Sequence, residues 1–470
     1  MFDHLLLTIV IGIVFVGQLK AFWPFLDKGR RKQRKKSKAT PKQSQTTAPT
    51  KRPPCPACAV SQAPQENEGA TPNVLPPVIE LTRGRPRTVD TSGHFCPEKN
   101  CRYYGWLGRG NIRANGHPNG GRWRQLQCIV CGQCFMETTN TIFYGQKAAA
   151  ETIWQALKAL AEGLDIRATA RVFDLDPNTV ERWLGQAAAH MEAVSAYLIH
   201  DLALTQVQVD ELWALLGRRD DNDAGEEKQR GQRWVWAGID PVSKLMLGYV
   251  VGDRSLECAQ RLIHMIAALL APGCVPLFIS DGWSAYGTAL LTHFGHWVQM
   301  PRQHKRGASP KPRWQPLSQL QYVQVVKKRV KGRVVSVSHR VIYGRLATIT
   351  TALTNSVGQV INTAFIERFN LSLRQHVPAL GRKVMGLAKS ELGLGRQLAL
   401  AQAYYNFCLP HFSLRRSLPQ PLPTKGSGSC KLWQSRTPAM AADITHHVCR
   451  LEELLLFRPP PWQQPVAVAA

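Results

Sequence analysis

Three carboxylates stand out by where they fall. Asp210 follows the alternating run "TQVQV", Asp281 closes the short apolar run "VPLFIS", and Glu367 lies in "NTAFIERFNLSLRQ", whose apolar spacing is helical. Two aspartates at the ends of adjacent buried strands are costly unless a cation neutralises them. Hard oxygen ligands suit Mg²⁺ or Mn²⁺. Two such ions, about 3.5–4 Å apart, can activate an attacking oxygen and stabilise the leaving one on a phosphodiester. No Asp or Glu occurs between Asp281 and Glu367, so Glu367 is the first available third ligand. Asn370 and Arg374 follow on the same helical face, where they would meet a phosphate. Taken singly, each acid has a plain alternative as a turn, cap or surface residue. Asp240, Asp253 and Glu211 are read that way, Glu211 because strand neighbours point to opposite faces.

A second constellation is built from cysteine. Cys96 and Cys101 form one pair, and Cys128, Cys131 and Cys134 cluster in "CIVCGQC". Two knuckles joined by a β-like excursion make a zinc ribbon, in which four thiolates close a structural Zn²⁺ site. Cys96, Cys101, Cys128 and Cys131 are the ligands chosen, with Cys134 spare. The lone pair Cys55 and Cys58 is weak evidence of anything. Cys258, Cys274, Cys408, Cys430 and Cys449 read as small buried or incidental residues. The short spacings argue for metal in a reducing compartment over disulfides.

The surrounding elements must position these groups. "AAAETIWQALKALAEG", "DIRATARVFDL" and "DPNTVERWLGQAAAHM" read as three helices, the last two opened by Asp165 and Asp176 as caps. The second and third fit a helix-turn-helix, with Asn178, Thr179 and Arg182 as base-contact candidates; a plain helical hairpin is the alternative. From Leu204 the order is strand–strand–strand–helix–strand–helix. That order matches an α/β, ribonuclease-H-like core, a mixed sheet flanked by helices, in which the first and fourth strands would bring Asp210 beside Asp281.

Charge narrows the partner. The 470 residues carry 59 Lys or Arg against 32 acids, a net charge of +27. Such an excess favours nucleic acid or an acidic membrane surface. It is concentrated in residues 20–52 and in the acid-free stretch 282–366, where Lys305, Arg306, Lys327, Lys328 and Arg329 are phosphate-contact candidates. Residues 1–26 hold the apolar run "LLLTIVIGIVFVG" and a second patch, "AFWPFL". Together they could span a bilayer, with the basic block on the cytoplasmic side. The domain reading is therefore an apolar segment 1–26, a disordered linker 27–90, a zinc ribbon 91–147, a helix-turn-helix domain 148–198, a catalytic domain 199–418 with a basic insertion 301–345, and a tail 419–470.

From about residue 94 to 418 the chain resembles the DDE transposases of bacterial insertion sequences, nearest to the insertion-sequence-one group. The resemblance rests on "CPEKNC…CIVCGQCF", "VDELWA", "SDGWSAY", "NTAFIERFNLSLRQ", "LGRKVMGLAKS" and "LALAQAYYNFCLPHFSLR". It implies Asp210, Asp281 and Glu367 as metal ligands, Arg374 as the basic residue seven after the glutamate, and Tyr343 in a structural role. It also implies strand cleavage at element ends followed by strand transfer into target DNA. Double-stranded DNA is then the partner, a homo-oligomer is needed to join two ends, and the cytoplasmic nucleoid is the location. The alternative is a domesticated, non-catalytic DNA-binding regulator, tethered to the membrane through residues 1–26.

Overall fold

A computed structural model describes residues 75–79, 89–217, 231–302, 309–354 and 360–464, apart from 382, 383, 385, 425 and 427. All of them belong to one unit, Thr71–Ala470. The apolar segment 1–26, the Cys55–Cys58 pair, most of the expected linker, and Lys305 and Arg306 lie outside the described residues. Among the described residues no helix is long and apolar enough to cross a membrane.

The first elements are strands β1 (Ile112–Ala114), β2 (Gln125–Cys128) and β3 (Cys134–Met136), an antiparallel sheet in the order β1-β2-β3. Strands this short cannot hold a module by hydrogen bonding alone. The core beneath them is Cys96, Cys101, Tyr103, Ile112, Leu126, Cys128 and Phe135. A core so small, and so rich in cysteine, calls for a staple.

Helices α1 (Ala150–Ala161), α2 (Ile166–Val172) and α3 (Pro177–Leu198) follow. Asp165 caps α2 by accepting from the Ala168 amide, and Asp176 caps α3 by accepting from the Asn178 amide, with Pro177 at the first helical position. Their apolar faces join the core that also holds Val207, Val209 and Phe278 of the central sheet. Residues 148–198 are thus built into the body of the protein, against the expectation of a separate domain. The long α3 supplies Val180, Trp183, Leu184, Ala187 and Met191 to that shared core.

The central sheet has six strands in the order β11-β10-β7-β4-β5-β6. Strands β4 (Gln206–Leu216), β5 (Gly231–Ile239) and β6 (Met246–Gly252) form an antiparallel meander. Helix α4 (Leu256–Leu269), capped by Ser255, returns the chain to β7 (Leu277–Asp281), which pairs parallel with β4. Helix α5 (Ala285–His293) leads to the hairpin of β8 (Gly295–Val298) and β9 (Arg313–Pro316). Then β10 (Gln321–Val330) pairs parallel with β7, and β11 (Arg333–Tyr343) forms the edge. Residues 321–343 are therefore two strands of the main sheet, which corrects the reading of 301–345 as an insertion. Their basic tips obscured a strand pattern whose buried half, Tyr322 to Val325, packs against β7.

Helices α6 (Leu346–Thr354), α7 (Ala364–His376) and α8 (Glu391–Ala403) follow, α8 running on into a π-helical turn at Tyr404–Cys408. One sheet face, from Leu212, Ala214 and Leu216, packs on Ile366, Phe369 and Leu373 of α7. The expected tail is also folded. It forms the hairpin of β12 (Arg416–Leu422) and β13 (Lys431–Gln434), then α9 (Pro438–Ala441) and α10 (Leu451–Leu456). Ala439, Cys449, Leu451, Leu454 and Leu455 enter the main core. Helices of four and six residues are too short for sequence periodicity to reveal.

Candidate active site and metal centres

Register brings the two aspartates to one face. Gln206, Val207 and Gln208 of β4 pair with Leu277, Phe278 and Ile279 of β7. Two further residues along each strand stand Asp210 and Asp281, on the face shared by Gln208 and Ile279. The ladder between β4 and β7 stops at Gln208, so the strands part where the carboxylates begin. Asp281 is the last residue of β7, but β4 runs six residues past Asp210 to pair with β5, so Asp210 is not a strand end as expected.

Glu211 corrects a second expectation. It does reach groups of the opposite layer: Tyr286 of α5 donates to it at 3.1 Å, and the Arg254 Nε at 2.8 Å. Its carboxylate nevertheless comes within 4.8 Å of those of Asp210 and Asp281. Arg254 is held over the rings of Trp234 and Trp283, 4.9 and 5.5 Å from their centroids. It is the cation beside this cluster, touching Glu211 and lying 3.9 Å from Asp281. Burial, then the charges of Glu211 and Asp281, push the Asp210 carboxyl up to about 7. Burial and Asp281 likewise raise Glu211 despite Arg254. Three carboxylates against one guanidinium leave an anionic excess that a hard divalent cation fits.

Glu367 stands in the first turn of α7, half exposed, and is not one of the clustered three. Thr363 Oγ1 donates to it at 2.8 Å, and the Lys327 ammonium sits against the same oxygen. The side chain of Lys327 lies on the face of β10 that also carries Val323 and Val325, two residues beyond the pairing of Val325 with Asp281. Lys327 is thus turned toward a carboxylate, where a phosphate contact was expected. Although burial opposes it, Lys327 and Thr363 together hold the Glu367 carboxyl below its usual range. Asn370, one turn on, is buried and donates to Asp210 Oδ2 at 2.9 Å, so it serves the carboxylate and not an exposed phosphate surface. Arg374 is half-buried and donates to the Leu380 carbonyl at 2.5 Å. The start of α7 is seated by Gln208, fully buried, which accepts from the Ile366 amide at 3.1 Å and donates to the Asn362 carbonyl at 2.8 Å. The sequence did not single out Gln208, Arg254 or Tyr286. A signal for Gln208 was its place two residues before Asp210, on the same face of the strand.

Comparison with known proteins meets this geometry at its centre. Residues 203–300, from before β4 through β8, match the family model described as IS1 transposase. This segment is similar to the IS1 transposases. The chain is 25% identical over 183 residues to the insertion element IS1 4 protein InsB of Escherichia coli strain K12, covering 39% of this chain and 65% of that protein. The same identity and length relate it to the IS1 protein InsB of Shigella sonnei, covering 82% of that relative. The chain thus spans just under two thirds of the E. coli protein. Among solved structures, the Mos1 strand transfer complex is 14% identical, covering 30% of this chain and 54% of that one, at a TM-score of 0.12. A pre-cleavage Mos1 transpososome is 15% identical at a TM-score of 0.14, covering 32% and 59%. Overlays this loose carry no argument. The IS1 match includes Asp210, Glu211 and Asp281; Glu367 lies beyond it.

N-terminal to the IS1-like segment, Cys96, Cys101, Cys128 and Cys131 bring their sulfurs within 4.8 Å of one another. Cys96 and Cys131 are 3.6 Å apart, and Cys101 and Cys128 3.9 Å. Four sulfurs at about 2.3 Å from one Zn²⁺ would be about 3.8 Å apart. Burial raises the Cys101 thiol to about 11, and raises Cys96 further. Burial also lifts Cys128, but the Cys131 amide, Asn111 and the Val130 amide outweigh it and bring Cys128 down to about 7. Asn111 Nδ2 is 3.5 Å from the Cys128 sulfur. A set of soft donors at this spacing, with an amide-solvated thiolate, fits Zn²⁺. Cys134 is exposed and stands apart.

The remaining expected DNA-binding residues are dispersed. Asn178 and Arg182 are exposed near the start of α3, with Thr179 half-buried. Asn178 borders a cavity of about 850 Å³ that is also lined by Arg167, Arg171, Lys389 and Arg396. Lys328 and Arg329 stand at the tip of β10, both exposed.

Proposed function

We propose that the protein is a transposase that binds the ends of an insertion element and catalyses metal-dependent DNA strand cleavage and strand transfer. The observation that carries this reading is the anion-rich cluster of Asp210, Asp281 and buried Glu211 inside the IS1-like segment. The sheet order, with β4 between β7 and β5, supports a ribonuclease-H-like core.

Asp210, Asp281 and Glu367 are the residues that would hold Mg²⁺ or Mn²⁺. Bound there, the ions would lower the pKa of an attacking water or 3′-hydroxyl and stabilise charge on the phosphodiester. The chain's own groups supply positioning. Asn370 fixes the orientation of Asp210, and Arg254 with Tyr286 holds Glu211 against the cluster. Gln208 locks the first turn of α7 to β4 and so sets where Glu367 can reach. Lys327 neutralises Glu367 and occupies the position beside its carboxylate that a metal cation would take. The aromatic packing of Trp236, Trp283 and Tyr286 excludes water from beneath the site. Catalysis of this kind is mostly positioning and electrostatic stabilisation.

The cysteine module reads as a zinc ribbon, and α2–α3 as a helix-turn-helix, both serving DNA binding. Exposed Asn178 and Arg182 and the basic tip of β10 supply contacts to bases and phosphates. Joining two DNA ends requires more than one copy of the chain.

The test is Mg²⁺- or Mn²⁺-dependent nicking of the DNA flanking this gene, comparing the protein with Asp281→Ala. Terminus-specific cleavage that disappears in the variant, with DNA affinity kept, is the expected result. Cleavage surviving in the variant would remove the site assignment. Binding without cleavage by either form would favour the DNA-binding regulator.

A further inference from the structure

The segment after α10 returns to the cysteine module and grips it. Gln464 accepts from the Leu107 amide at 3.1 Å and donates to the Gly105 carbonyl at 3.1 Å. The Trp462 ring packs edge-on against Tyr104 and Trp106, with centroids 5.5 and 5.6 Å away. Gly105 has a positive φ of 73°, and a Cβ there would come within 2.6 Å of Pro461, so the approach needs glycine.

At the root of this grip lies Arg458. It is 4% exposed, and its guanidinium carbon sits 4.3 Å from the centroid of Phe95 and 5.3 Å from that of Phe135. Phe95 precedes Cys96, and Phe135 follows Cys134. Among the described residues, none of its three guanidinium nitrogens has a hydrogen-bond partner, and no carboxylate pairs with it. The Trp462 indole nitrogen is a second buried donor without an acceptor. An unpaired buried guanidinium is costly, and a stable fold supplies an anion for it. Four thiolates around one Zn²⁺ carry a net charge of about −2, an anion that neutral thiols do not provide.

We propose that Arg458 is the counter-cation of a charged tetrathiolate centre at Cys96, Cys101, Cys128 and Cys131, so that metal loading fastens residues 458–464 onto the cysteine module. The proposal rests on the zinc reading of those cysteines. It makes the C-terminal segment part of the metal site, and Arg458 a positioning residue that acts through charge.

The test uses the full chain loaded with zinc. Arg458→Met keeps the stacking bulk and removes the charge. Competition against a chromogenic chelator should show zinc held about 10–100-fold more weakly, the usual effect of removing a group that supports the metal's ligands. Arg458→Lys should recover part of that affinity. Hydrogen exchange, read by mass spectrometry, should speed up at residues 104–107 and 462–464 when zinc is stripped from the unmodified protein. That second measurement stands even where Arg458→Met fails to fold. Unchanged zinc affinity in Arg458→Met, or unchanged exchange on stripping, would overturn the proposal. If the unmodified chain binds no zinc and Cys128→Ser leaves its stability unaltered, the zinc reading itself falls, a result distinct from either of those.

Discussion

At the scale of single residues, Asp210 is, among the described residues, the carboxyl most altered by its place. Burial, Glu211 and Asp281 raise it from 3.8 to about 7. A carboxyl raised in this way binds a proton in the folded protein that the unfolded chain has already released. Its contribution to stability is complete below about pH 4 and disappears as pH rises through 7. In chelator, the protein should therefore become less stable over that window. Asp210→Asn should melt on the order of 5 °C above the unmodified protein at pH 8, and at nearly the same temperature at pH 4. Differential scanning calorimetry at the two pH values decides it; an equal offset at both would mean that charge repulsion is not the cause. Glu211 shows what residue-level reading of the sequence lacks. Alternation along a strand put Glu211 on the face opposite Asp210, and there it meets Tyr286 and Arg254. It could not reveal that β4 and β7 cease to pair after Gln208 and Ile279, or that the Glu211 carboxylate comes within 4.8 Å of those of the two aspartates.

At the scale of elements, the site depends on how α7 is seated on β4. Gln208 satisfies two backbone groups at the start of that helix from a fully buried position. Gln208→Leu keeps the bulk but strands both groups, which should cost about 1–3 kcal/mol in denaturant unfolding. Nicking should fall with it, while DNA affinity stays. A Gln208→Leu protein with unchanged unfolding midpoint would mean that α7 is held by its apolar face alone. The far end of α7 is seated by Gly163, just beyond α1. Its φ is 98°, and a Cβ would lie 2.2 Å from the Gln375 carbonyl oxygen. Gly163→Ala should destabilise by about 1–3 kcal/mol, checked by the same unfolding measurement. The helix itself was legible from its 3.6-residue spacing. What fixes the helix in space was not, because Gln208 and Gly163 act on groups more than 150 residues distant in sequence.

At the scale of the whole molecule, charge and topology trade places with the sequence reading. The acid-free stretch was legible as a basic surface, but its charge hid the fact that residues 321–343 are β10 and β11 of the main sheet. The C-terminal part had no periodicity to read, yet it enters the core through Leu451, Leu454 and Leu455 and closes on the cysteine module through Trp462 and Gln464. The sheet gives the basic residues a geometry. Lys327 is turned in toward Glu367, whereas Lys328 and Arg329 stand at the tip of the β10–β11 ribbon, beyond the pairing with β7. A cation already satisfied by a carboxylate releases no counterion from DNA until that ion pair is broken, whereas cations open to solvent do so on binding. The logarithm of DNA affinity should therefore fall steeply and linearly with the logarithm of salt concentration. The double variant Lys328→Ala/Arg329→Ala should flatten that slope by up to about 2, near 0.9 for each phosphate no longer neutralised. It should weaken binding to element ends and to unrelated DNA alike, since phosphates carry no sequence information. Fluorescence anisotropy over a salt series on both DNAs measures slope and specificity together. A slope unchanged in the double variant would move the phosphate path off the ribbon, leaving the cavity bordered by Arg167, Arg171, Lys389 and Arg396 as the basic surface to test next.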